Sequence, residues 1–147
     1  MTGDTLRVGG DEVVFRVTSD ESADAFIAVE VHMEPGGGPP GLHRHPPAEL
    51  YQVQRGVLTL YVADEDGRVR RRVAGPGEVV AIPAGREHTI RNESCEEARA
   101  LAVFTPGGTM ERFIRAAAVM TEPDMAAAQA LAAEHGIEMT RALEAVG

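Results

Sequence analysis

Four side chains in this 147-residue chain have the types and spacing of metal ligands. His43, His45 and Glu49 lie together in the stretch from Gly37 to Gly56, and His88 lies in a second stretch from Gly77 to Asn92. Alternate side chains of an extended strand project to one face, so His43 and His45 can reach a common ion. Glu49 has the same parity, but Pro46-Pro47 interrupts the strand, so a loop has to fold the carboxylate back. His88 follows Pro83-Ala84-Gly85, a tight turn that would aim the next strand inwards. A carboxylate oxygen with three imidazoles suits Fe, Mn, Ni, Co, Cu or Zn and fits calcium poorly. Such a set leaves open positions on a six-coordinate ion, where water, dioxygen or a bidentate substrate can bind. His32 and His135 stand apart and read as structural or surface residues. The run from Gly36 to Gly41 formally fits a dinucleotide-binding G-x-G-x-x-G, but such a loop must open a helix, and Pro39, Pro40, Pro46 and Pro47 prevent one here.

The rest of the chain must position these groups. Its length is that of one domain, able to bury roughly 70% of its unfolded surface without staples. A net charge of −9 argues against nucleic acid and against an anionic membrane surface. The basic residues Arg68, Arg70, Arg71 and Arg72 read as an exposed strand face beside Asp64, Glu65 and Asp66. A single cysteine, Cys95 in a polar acidic turn, excludes an internal disulfide, makes a poor nucleophile, and fits a cytoplasmic protein. There is no signal-peptide pattern and no apolar run of membrane-spanning length.

Residues 1–12 read as a loose lead-in or an edge strand, and Val13–Val17 as a short strand. Ala25–Met33 alternates, with Ile27, Val29, Val31 and Met33 on one face. Further strands are expected at Leu50–Val53, Val57–Ala63, Val69–Val73, His88–Arg91 and Arg99–Thr105, with Asp66-Gly67 as a hairpin turn. Val79–Ile82 is continuously apolar and predicts a strand buried on both sides. Many short strands separated by turns predict an all-β barrel or sandwich. After Pro106 the pattern turns helical. Thr109 would cap a helix to about Met120, and Thr121-Glu122-Pro123-Asp124 would start a second one ending near His135, with Gly136 as its stop. Residues 137–147 have helical propensity with a weak apolar stripe.

The two stretches resemble the two signature motifs of the cupin superfamily. Gly37, His43, His45, Glu49 and Gly56 match the first at every position, and Gly77, Pro83, Gly85, His88 and Asn92 match the second. The resemblance implies an all-β cupin conserved β-barrel (a double-stranded β-helix or jelly roll) over residues 1–108, with a C-terminal α-helical extension over 109–147. It implies one divalent transition metal per chain, held by His43, His45, Glu49 and His88. Gly56 and Gly77 would make turns, and Asn92 would cap one. Tyr51, Val53, Met33, Ile90 and Phe104 would line the substrate cavity.

The segment from Phe104 to Ile114 is similar to the end of small bacterial cupins called quercetin dioxygenase-like. That likeness implies a metal-dependent dioxygenase acting on a small aromatic or enolic substrate, with Glu49 as ligand and as base. The other readings are a non-redox metal-dependent isomerase or hydrolase and a non-catalytic small-ligand-binding cupin. Either way the partner is a small molecule, and the fold type implies a homodimer.

Overall fold

A computed structural model describes residues 2–39, 41–120 and 125–143. The described residues form a six-stranded and a five-stranded antiparallel sheet with two helices. The first sheet has the order β1 (Thr5–Val8), β2 (Asp11–Val17), β3 (Ile27–Met33), β10 (Ala98–Thr105), β5 (Ala48–Arg55), β8 (Val79–Ile82). The second runs β11 (Glu138–Ala142), β4 (Gly41–Arg44), β9 (His88–Arg91), β6 (Leu58–Ala63), β7 (Val69–Ala74). Two helices, α1 (Gly108–Ala118) and α2 (Met125–Glu134), precede β11.

Period-two patterning decides what faces inwards. In β3, Ile27, Val29 and Met33 are buried, as the alternation predicts, while Glu30 on the other face reaches Arg16. In β10, the central strand between β3 and β5, Ala98, Ala100, Ala102 and Phe104 are buried. Full burial of a side chain such as Phe15, Ile27 or Leu60 is worth roughly 1.5–3 kcal/mol relative to exposure, so this interior drives the fold. The turn glycines Gly56 and Gly77 both take positive φ, at 73° and 88°, where a side chain would be strained.

Three expectations are corrected. Val79–Ile82 is the edge strand β8 and not a doubly buried one: Val80 and Ile82 point inwards, but Val79 remains 48% exposed. Apolar composition alone could not separate an edge from a centre. Thr109 does not cap α1. The helix begins at Gly108, two residues before the expected Met110, and Asp24 caps it from a distant loop, its Oδ1 accepting the Gly108 N–H at 2.7 Å. Residues 138–142, expected to be helical, form β11, because pairing with β4 outweighs local propensity. The C-terminal extension is therefore not wholly helical. The expected second helix start at Thr121–Asp124 lies outside the described residues, but α2 does end where Gly136 takes φ 76°. The segment before Asp11 resolves as edge strand β1.

The arginines of β7 are exposed and matched to acids, Arg70 to Asp64, Arg71 to Glu93 and Arg72 to Glu78. Such surface pairs contribute little stability, but charge on an edge strand discourages pairing with another sheet. No described helix is long and apolar enough to cross a membrane.

Candidate metal centre

Strand register brings the two distant stretches together. His43 of β4 is the direct cross-strand partner of His88 of β9, although 45 residues separate them. His45 lies just past the end of β4, and Glu49 enters from β5 in the other sheet, opposite Phe104 of β10. The site thus sits between the sheets, where the two curl towards each other. One ring nitrogen from each of His43, His45 and His88 falls within 4.8 Å of the others.

Backbone carbonyls orient the imidazoles. His45 Nδ1 donates to the Pro47 carbonyl at 2.9 Å, and His88 Nδ1 donates to the Arg86 carbonyl at 2.7 Å. A carbonyl can only accept, so each Nδ1 carries a proton, and in the neutral ring Nε2 is left free to offer its lone pair to a metal. Both Nε2 atoms lie 3.0 Å from a carboxylate oxygen of Glu49, His45 from Oε2 and His88 from Oε1. Yet His45 Nε2, His88 Nε2 and Glu49 Oε2 are buried without a hydrogen-bond partner, so these close pairs lack hydrogen-bond alignment. Orphaned polar atoms in a dry site are costly and call for an explanation. A shared cation would supply it. Ligands about 2.1 Å from one ion and at right angles to each other sit about 3.0 Å apart. The donor set, imidazole nitrogen and carboxylate oxygen, is that of a divalent transition metal.

The charge balance agrees. Burial alone would push the Glu49 carboxyl up, but the imidazoles of His45 and His88 outweigh it and hold it down to about 2. Burial alone would lower the pKa of His88, and the Glu49 carboxylate more than reverses that. His43 is pushed down to about 4, first by desolvation and then by repulsion from His88, so it is a neutral lone-pair donor at neutral pH. The ring of Phe104 packs on His45 with centroids 6.3 Å apart, closing the apolar side of the centre.

Loop 36–39 is fixed tightly beside the site. Gly38 has φ 101°, and a Cβ there would lie 2.2 Å from the Ile90 carbonyl oxygen. Arg91 donates to the carbonyls of Gly36 and Gly38. Asn92 is fully buried and away from the ligand cluster. Its Nδ2 donates to the Met33 and Glu96 carbonyls at 2.8 Å each, so it ties a turn together, as the motif implied.

A cavity of about 510 Å³ opens beside the centre, with His43 and His45 in its wall. Its other walls are loop 36–39, the β1–β2 turn, α1, α2 and the segment around β11, contributing Met110, Phe113, Leu131, Ile137 and Met139. Tyr51, Val53, Met33, Ile90 and Phe104 are not among its lining residues. They are buried in the core between the sheets, with Tyr51 against Glu49. The lining from the chain's extremities carried no signal in the motif spacing. Only the aromatic and methionine side chains after Pro106 hinted that the extension faces something apolar.

Structural neighbours share this architecture. The chain is similar to oxalate decarboxylase from Bacillus subtilis, with 27% identity and a TM-score of 0.62 over 71% of this chain and 27% of that one. It is similar to an oxalate oxidase, with 25% identity and a TM-score of 0.57 over 71% of this chain and 55% of that one. The chain therefore spans about a quarter of the length of the decarboxylase chains. Mn(II) centres are named for the B. subtilis oxalate decarboxylase. No curated protein matches the sequence significantly. The family model described as "Cupin domain" matches residues 29–104, just over half of the chain. With a three-histidine centre between two antiparallel sheets and that match across both motifs, the chain belongs to the cupin family.

Proposed function

We propose that this cupin is a metal-dependent dioxygenase acting on a small aromatic or enolic substrate. One divalent transition metal per chain, of the group Fe, Mn, Ni, Co, Cu and Zn, is held by His43, His45, Glu49 and His88. The observation that carries the reading is that the imidazole cluster faces an apolar cavity of about 510 Å³, far larger than a two-carbon diacid fills. A redox-capable ion, when bound, supplies electronic coupling between a substrate's oxygen donors and dioxygen.

The protein's own contribution is orientation, water exclusion and a proton acceptor. The Pro47 and Arg86 carbonyls fix the tautomers and ring planes of His45 and His88. Met110, Phe113 and Ile137 present the apolar surface against which an aromatic ring packs. Glu49, ionised at neutral pH, is the carboxylate next to the ring nitrogens and accepts the substrate's hydroxyl proton at its carboxylate oxygen. Exposed Val79 on edge strand β8 supports the expected homodimer, which light scattering tests.

The test is dioxygen uptake by the full chain loaded in turn with Fe, Mn, Ni and Cu, across a panel of flavonols and catechols. Uptake coupled to substrate loss is the expected result. Turnover without dioxygen, sustained by Zn, would point to Lewis-acid chemistry. Ligand-dependent thermal shifts with no product under any condition would leave a binding protein.

A further inference from the structure

We infer that the cavity sorts substrates by charge, admitting an apolar molecule whose far end is neutral or cationic and refusing one whose far end carries a carboxylate. This rests on the proposed function and deepens it. Among the described residues, the ionisable ones lining the cavity apart from His43 and His45 are Asp11 and Glu34, both acidic, and no described lysine or arginine lines it. Asp11, at the start of β2, is the more telling of the two. Its Oδ1 is buried without a hydrogen-bond partner, pressed against Gly37, where a Cβ would lie 2.6 Å away. The Gly38 backbone N–H donates to the Asp11 carboxylate, and Arg91 and Arg7, the guanidiniums whose charge reaches it, do not line the cavity; Arg91 also donates to the Gly36 and Gly38 carbonyls. Met110, Phe113, Leu131 and Ile137 complete a wall with nothing to offer an anion. Beyond the head that meets the metal centre, a carboxylate entering here finds no lysine or arginine in the wall and meets like charge at Asp11 and Glu34. An ammonium or hydroxyl group at the same place is attracted to those acids or can donate to them.

The experiment is calorimetric titration of the Mn(II)-loaded full chain with three probes that share one catechol head: 4-methylcatechol, dopamine and 3,4-dihydroxyphenylacetate. We expect dopamine to bind at least as tightly as 4-methylcatechol, and 3,4-dihydroxyphenylacetate at least about tenfold more weakly than either. Asp11→Asn and Glu34→Gln together are expected to shrink the dopamine-to-carboxylate ratio several-fold while 4-methylcatechol affinity stays within about twofold. Equal or tighter binding of the carboxylate probe by the native chain overturns the inference, and so does an unchanged ratio in the double variant. Those two outcomes leave the proposed function standing. Failure of all three probes to bind removes the catechol-type substrate reading and this inference with it. The ranking by the native chain stands as a test even if the double variant does not fold.

Discussion

Glu49 Oε1 lies 3.0 Å from His88 Nε2, and both side chains are only 2% exposed. The two residues come from different sheets and from the two different motifs. A carboxylate and an imidazole so close, so dry and so poorly aligned for a hydrogen bond are placed as two ligands of one ion would be. The remaining members, His43 and His45, approach from the side that opens to the cavity.

Removing a ligand should therefore empty the centre without unfolding the barrel. His45→Ala and His88→Ala are each expected to lower metal affinity by more than the roughly 10–100-fold that loss of an outer-shell partner costs. Elemental analysis, with circular dichroism to check the fold, measures this. Full metal occupancy in both variants would place the site elsewhere.

Stability of the metal-free protein should depend on pH in a defined order. His43 has its folded pKa lowered from 6.5 to about 4, so between these values the unfolded chain binds a proton that the folded chain refuses. Stability is thus lost as pH falls from about 6.5 to about 4. Glu49 is lowered from 4.5 to about 2, and its contribution is lost over the adjoining acid range. His88 is raised, so its contribution is complete below 6.5 and fades as pH climbs through its folded value. Melting temperatures between pH 3 and 8 should peak near 6.5. A flat profile from 6.5 to 4 would contradict the assignment of His43 as a buried neutral imidazole.

Asp24 should matter although it lies far from α1 in sequence. Its Oδ1 satisfies the Gly108 N–H, and its own backbone takes φ 66°. Asp24→Ala removes the cap and keeps the strained backbone, so a loss of about 1 kcal/mol is expected, more than for Asp24→Asn. Chemical denaturation decides it. Equal stability of Asp24→Ala and the native chain would mean that the cap contributes nothing.

The parts legible from sequence were those written in local spacing. His43, His45, Glu49 and His88 stood out because ligands need fixed separations along the chain. The alternation of Ile27, Val29 and Met33 announced a half-buried strand directly. What stayed hidden depends on partners distant in sequence. The tail residues 138–142 have no strong strand signal and become β11 only because β4 offers an unpaired edge. Asp24 gives no sign of serving Gly108. Tyr51 and Val53 share parity with Glu49, yet that face turns into packed core, and the open cavity lies beyond it under the helices.

The pairing of β11 with β4 has a consequence for biosynthesis. Met139 registers against His43, so the strand carrying the first ligand has one neighbour 45 residues downstream and the other 96 residues downstream. As the chain emerges from the ribosome, both histidine motifs are available long before the strand that flanks them. Residues 138–142 thus add the wall beside His43 only after both histidine motifs have been made.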